Sequence, residues 1–454
     1  MQTFKKENSW RQLQSEYIIQ RRRESFLKKS IKTAAVLCLL VALMAGAAYI
    51  TNKIRLRNTP LAPQILQEKT GTPSQDPELS KSSVRTLARD LVFLNSTQDI
   101  FPIKTHTRNY TIHTRLDPGL QAALNTNLDR LKTLTRGKPQ RIAMVAMDGK
   151  TGFIKAMAGF DLADPKANPC TASDYPAASL FKIVTASAAV DALGYSGTTP
   201  MYFNGNKYTL YKRQLTEKKN RFTSRISLGS AFAQSINPVF GKLGQLYLGR
   251  EKLNTYAHAF GFNQGPDSDF DFDSGAFATT ESEYHLAELG CGFNRQTQIS
   301  PVFATLLVSS IVNQGHSLVP RMVDQINNGN GELIYKSKKE VYKTPIQPKT
   351  AKTMVEIMKK TISHGTARKA FRGFSRDKVL AGLELGGKTG SLYNTKRTVK
   401  YDWFTGFGKN KNSGKTLVVS VVVGHRKYIG TRASTHAKNI LKTYFKSVSG
   451  TKSP

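Results

Sequence analysis

At 454 residues the chain is longer than one ordinary domain and too short for two large catalytic domains beside a membrane anchor, so one main module with accessories is expected. Hydrophobic residues at 39% and charged residues at 22% exclude a collagen-like or wholly disordered polymer. Lys and Arg total 67 against 31 Asp and Glu, and the net +36 asks for an anionic partner: nucleic acid, membrane phosphates or a carboxylate-rich polymer.

The first readable element is TAAVLCLLVALMAGAAYI, residues 33–50, eighteen positions without a charge. That is the lower limit for a helix crossing a hydrocarbon layer of ~30 Å. A membrane anchor and a cleaved signal peptide both fit, and the 32 residues ahead of the run favour a retained anchor. The head 1–32 carries nine Lys or Arg, among them Arg21, Arg22, Arg23, Lys28, Lys29 and Lys32, against Glu7, Glu16 and Glu24. It is therefore expected in the cytoplasm, with residues 51–454 outside, although Lys53, Arg55 and Arg57 weaken the asymmetry. Outside the cell the excess positive charge meets envelope material rather than DNA, so no nucleic-acid partner is expected. Of three cysteines, Cys38 lies in the apolar run; Cys170 and Cys291 either pair or stay as two separate buried thiols.

Residues 51–105 read as a linker, with Pro60, Pro63, Pro73 and Pro77 among polar residues and little apolar periodicity. A folded module is expected over 106–450, becoming readable near Tyr110. In IAMVAMDGKTGFIKAMAGF, residues 142–160, two apolar runs flank a turn sequence and predict an antiparallel hairpin. Ser179 to Leu193 lacks Gly and Pro and ends at Gly194, the pattern of a buried helix. Residues 227–260 are expected to be helical with a break at Asn237-Pro238. A second hairpin is expected from 403–407 and 417–423, then a helix over 434–448 with Ser434 as N-cap. Strand pairs at both ends with helices between predict an α/β fold whose sheet joins distant segments.

Three short motifs carry candidate chemistry. Ser179 and Lys182 stand at i and i+3 on one helical face, where a desolvated lysine can be neutral enough to take a serine proton. The same pattern occurs at Ser25–Lys28 and Ser449–Lys452, in terminal segments where no pocket is expected. Ser235-Ile236-Asn237 precedes Pro238, a corner that presents two polar side chains or simply starts a helix with Asn237 as its cap. Lys388-Thr389-Gly390, after Gly386-Gly387 and before Ser391, suits an edge strand approached closely by a ligand. Lys69-Thr70-Gly71 and Lys150-Thr151-Gly152 are lookalikes in the linker and a hairpin turn. A rival reading makes Gly382 to Thr389 a phosphate-binding G-x-x-x-x-G-K-T loop, but such a loop must open a helix, and the residues after it show no apolar stripe.

In this order the motifs at 179–182, 235–237 and 388–390 resemble the penicillin-binding protein and serine β-lactamase superfamily. The stretches TRLDPGLQ at 114–121, QISP at 298–301, Asn313-Gln314-Gly315, Gly365-Thr366-Ala367 and WFTGF at 403–407 extend the likeness to a transpeptidase domain over roughly 106–448. The resemblance implies an antiparallel sheet flanked by helices with an all-helical subdomain, following one transmembrane helix. It implies a D,D-transpeptidase acting on peptidoglycan stem peptides and inhibited by β-lactams, with no cofactor or metal. Ser179 is then the nucleophile and Lys182 its base, with Ser235 and Lys388 catalytic. Asn237, Thr389, Gly390 and Ser391 bind substrate, and the amides of Ser179 and Ser391 form the oxyanion hole. A glycan polymerase is a candidate partner. About sixty residues between the apolar run and Tyr110 leave no room for a glycan-polymerising domain or a long pedestal. Carboxypeptidase, β-lactamase, β-lactam sensor and non-catalytic scaffold are the alternatives.

Overall fold

The computed structural model describes residues 79–450 apart from position 280. The head 1–32, the apolar run 33–50 and the linker as far as residue 78 lie outside the described residues. Among the described residues no helix is long and apolar enough to cross a membrane.

The helices and the strands of four or more residues follow in chain order. First come α1 (Lys81–Ala88), β1 (Ile100–Lys104), β2 (Asn109–Thr114), α2 (Pro118–Lys132), β3 (Arg141–Asp148) and β4 (Ile154–Asp161). A helical stretch contains α3 (Lys182–Leu193), β5 (Pro200–Phe203), β6 (Ser224–Ser227), α4 (Leu228–Ala233), α5 (Asn237–Lys242), α6 (Gly249–Ala259), α7 (Glu283–Cys291) and α8 (Pro301–Val312). Last are β7 (Val323–Asn328), β8 (Leu333–Lys336), α9 (Pro348–Ser363), β9 (Leu383–Tyr393), β10 (Lys400–Asn410), β11 (Thr416–His425) and α10 (Ala433–Gly450).

The main sheet has the order β9-β10-β11-β3-β4, antiparallel throughout, and so joins segments more than 200 residues apart. Both faces are covered. Ile142, Met144 and Ala146 of β3 enter a core with α2 and α10, while Ala143, Val145 and Met147 enter the core that contains α3 and α8. Burial on two sides explains why IAMVAM and LVVSVVV are continuous apolar runs rather than alternating ones. The predicted hairpins are β3–β4 and β10–β11. At the first turn Asp148 Oδ1 accepts from the amides of Lys150 and Thr151, both at 2.9 Å, which leaves Lys150 of that lookalike motif exposed on a turn.

Two expectations need correction. The linker expected over 51–105 overlaps folded chain: Ser80 Oγ caps α1, Val84 and Ala88 are buried, and β1 pairs with β2. Eight residues with two buried positions give almost no readable period, and Pro102 argues against a strand except at a sheet edge, where β1 lies. The C-terminal helix starts at Ala433, whose N–H donates to Asp402 Oδ2 at 2.9 Å, so a carboxylate from β10 acts where Ser434 was expected to cap. The rival phosphate-loop reading, set aside on the sequence, fails in the structure as well. Lys388 and Thr389 lie inside strand β9, with no helix behind them to supply free amides.

Candidate functional site

Ser179 sits in a tight 3-10 turn, Ala178–Phe181, that leads into α3. The turn is held by an unusual backbone. Ala178 has φ 48, a left-handed conformation that ordinary residues seldom adopt. Across from it Gly292 has φ 69, and a Cβ there would lie 1.9 Å from the Ala178 carbonyl oxygen. Gly292→Ala is accordingly expected to cost at least ~1–2 kcal/mol from the left-handed backbone alone, with the clash added, and to slow Ser179 acylation. A denaturant midpoint and an acylation rate both equal to those of the parent would contradict this.

One turn on, Lys182 is fully buried and its Nζ has three neighbours: Ser179 Oγ at 2.7 Å, Asn237 Oδ1 at 2.8 Å and the Cys291 carbonyl oxygen at 2.6 Å. The last two can only accept, so they take two N–H bonds. A neutral amine has two N–H groups and one lone pair, and the lone pair is then left for the Ser179 hydroxyl. Asn237 cannot easily turn its other end, because Nδ2 donates to the Tyr208 carbonyl at 2.9 Å. One of the two readings of this corner made the residue a helix cap. Instead Ile236 is the N-cap without a side-chain bond, and the carboxamide of Asn237 is spent on Lys182 and Tyr208.

Ser235 ends the corner after α4 with φ 58, and its Oγ accepts from Lys388 Nζ at 2.9 Å. Lys388 also donates to the Thr389 carbonyl and is fully buried. Strand β9 is the sheet edge, and its period of two aims Lys388, Gly390 and Leu392 at the helical side while Leu383 and Leu385 pack on the opposite core. Gly390 comes close to the nucleophile: a Cβ built there lies 3.4 Å from Ser179 N. Ser391 and Thr389 line the same cleft, and Thr389 Oγ1 meets Thr366 Oγ1 at 2.6 Å. Thr366 is fixed by its N–H to the Ala233 carbonyl at 3.0 Å, next to the middle motif. The eight residues singled out in the sequence thus converge. Thr366 and the carbonyls of Cys291 and Tyr208 join them and were not singled out.

Burial sets the electrostatics. Desolvation pushes the Lys182 amine down to about 8, and desolvation with repulsion from Lys182 holds Lys388 well below its ordinary value. Two amines in one buried network titrate as a pair, and the doubly protonated state is the one disfavoured. Phe240 and Phe232 form apolar walls, with ring centres 5.6 Å and 5.4 Å from the respective nitrogens. As pH falls below about 8 the lone pair on Lys182 is lost, so the acylation rate is expected to fall about tenfold per pH unit. A flat profile through that range would show that this amine does not take the proton.

Both remaining cysteines are free and buried, the Cys170 thiol pushed up to about 12 and that of Cys291 to about 11 by desolvation. They are the separate, inert thiols of the two alternatives. The cleft outside Ser179 has a volume of about 1370 Å³. Asp402 is the one carboxylate among the described residues lining it, and Arg432 Nη1 at 3.2 Å and the Ala433 amide hold its two oxygens.

A family model, the penicillin binding protein transpeptidase domain, matches residues 142–445. The chain belongs to that family. Among the family's proteins, it is 25% identical over 347 residues to stage V sporulation protein D of Bacillus subtilis, covering 72% of this chain and 52% of that one. It is 24% identical over 388 residues to the peptidoglycan D,D-transpeptidase PbpA of Mycolicibacterium smegmatis, covering 77% and 74%. The chain thus spans about half the length of the first of these relatives. Its fold aligns with the D,D-transpeptidase domain of a peptidoglycan glycosyltransferase from Eggerthella lenta at TM-score 0.60 and 24% identity, covering 75% of this chain and 83% of that one. The imipenem acyl-enzyme of penicillin-binding protein A from M. tuberculosis aligns at TM-score 0.59 and 19% identity, covering 73% and 79%. The expected antiparallel sheet with flanking helices is therefore the transpeptidase-type α/β fold.

Proposed function

We propose that the chain is a serine D,D-transpeptidase that cross-links peptidoglycan stem peptides and is acylated by β-lactams. The observation that carries this reading is the set of three contacts at Lys182 Nζ, in which two obligate acceptors leave the neutral form of the amine its lone pair for Ser179 Oγ. Ser179 attacks the carbonyl carbon of the penultimate D-alanine while Lys182 takes its proton. The amides of Ser179 and Ser391 stabilise the oxyanion, where one donor is worth about 10²–10³ in rate. The terminal D-alanine departs as its amine, receiving a proton through Ser235 and Lys388. Its carboxylate rests on Thr389, Thr366 and Ser391, Gly390 leaves the space for the approach, and Asn237 holds a substrate amide with its remaining N–H. An acceptor amine then attacks the acyl-enzyme carbonyl, forming the new amide and regenerating Ser179.

Competing hydrolysis by a β-lactamase would need a base that activates water on the acyl-enzyme. The two oxygens of Asp402 are committed elsewhere, which supports slow deacylation. The extracytoplasmic reading of the module supplies the compartment: a basic tail over 1–32, an anchor over 33–50, and stem peptides reached from the outer side, with a glycan polymerase as partner. The test supplies the purified chain with a stem pentapeptide donor and an amine acceptor. Release of D-alanine together with the donor–acceptor amide is expected. D-Alanine with only the hydrolysed tetrapeptide would make the chain a carboxypeptidase, and release of neither would contradict the proposal.

A further inference from the structure

The cleft does not end at Ser179. It follows the edge of β9 past Ser391, Leu392 and Tyr393 to the hairpin that joins β9 to β10, and its lining there is strongly cationic. Arg295 donates from Nε to the Tyr393 carbonyl at 3.1 Å, Arg397 stands in the hairpin turn, and Lys400 lies directly across from Tyr393 in the β9–β10 register. Arg432, Lys438 and Lys369 also line the cleft. Against six cations stands Asp402, already bound to Arg432. Among the described residues no carboxylate pairs with Arg295, Arg397 or Lys400, so the positive charge at this end is uncompensated within the fold.

Direction along the strand says what these charges meet. If the transpeptidase reading holds, on which this inference rests, the reacting carbonyl lies at Ser179 and the terminal carboxylate at Thr389 and Thr366. The rest of the donor must then run the other way, beside Ser391 to Tyr393, as a strand added to the sheet edge. At ~3.3 Å per residue, the two or three residues ahead of the D-alanines reach the hairpin end. We infer that Arg295, Arg397 and Lys400 form a subsite for free carboxylates on those preceding residues, and that the enzyme prefers stem peptides in which these carboxylates are not amidated. Guanidinium and carboxylate suit each other in geometry as well as charge, whereas a neutral carboxamide offers no charge to match.

The experiment compares two synthetic pentapeptide donors that differ only in amidation of the carboxylates ahead of the D-alanines, following D-alanine release, with labelled penicillin as a parallel acylating agent. The free-carboxylate donor is expected to show a kcat/KM about 10–100-fold above that of the amidated one. In the Arg397→Gln/Lys400→Gln double variant that ratio is expected to drop below about threefold. Penicillin labelling of Ser179 in the same preparation reports that the fold is intact. Labelling with equal release from both donors would overturn the subsite alone, as would a ratio that survives the double substitution. Release from neither donor, with Ser179 also unlabelled by penicillin, would overturn the transpeptidase reading and this inference together.

Discussion

Replacing Ser179 with alanine is expected to abolish acylation by penicillin and D-alanine release, a loss of at least ~10⁴-fold, while the protein stays folded. The side chain is partly exposed at the cleft and its hydrogen bond goes to Lys182 Nζ. Water can replace that bond, so the unfolding midpoint should hardly move. Ser235 Oγ, against Lys388 Nζ at 2.9 Å, is a second hydroxyl beside a buried amine in this cleft, whereas Thr389 Oγ1 is bonded to Thr366. A covalent adduct persisting in Ser179→Ala would place the nucleophile elsewhere.

Replacing Lys182 with methionine is expected to slow acylation by about 10²–10⁴. Methionine is a close match in length and unbranched, so packing changes little, but the amine that takes the proton is gone. Stability changes in two opposing directions. Asn237 Oδ1 and the Cys291 carbonyl lose a donor, at about 1–3 kcal/mol each if left unsatisfied, while the cost of burying an amine is removed. A purely structural lysine would move the unfolding midpoint and leave the pH profile unchanged. Here the residual acylation should lose its dependence on pH near 8. Acylation within about threefold of the parent would mean that the proton leaves Ser179 by another route.

How much of this was legible in the residues depends on what each contact needs. The i and i+3 spacing of Ser179 and Lys182 encodes a shared helical face directly, and an edge strand bearing Lys388 followed from Gly386-Gly387 ahead of it and Ser391 after it. Cys291 and Tyr208 contribute through carbonyl oxygens, which every residue possesses, so nothing in their identities marks them. Thr366 was visible only as part of a supporting tripeptide. Its contact with Thr389 depends on α9 ending beside the middle motif. The cap alternative for Asn237 could not be dismissed on the sequence, because the local signal for a cap is the same whether or not a buried lysine later claims the carboxamide. For the sheet, the hairpins were readable because their strands are adjacent in sequence. The pairing of β11 with β3 joins Leu417 to Asp148 across the whole helical subdomain, and no local pattern carries that information. The left-handed backbone at Ala178 and Ser235 is likewise imposed by packing, since neither residue type favours it.

The most direct test of the converged site is the intact mass of the native chain after incubation with labelled penicillin, followed by peptide mapping. One equivalent of drug, bound through the peptide that contains Ser179 and persisting through the work-up, is the result expected. A chain of unchanged mass with the drug intact, or an adduct mapped to a different residue, would contradict it.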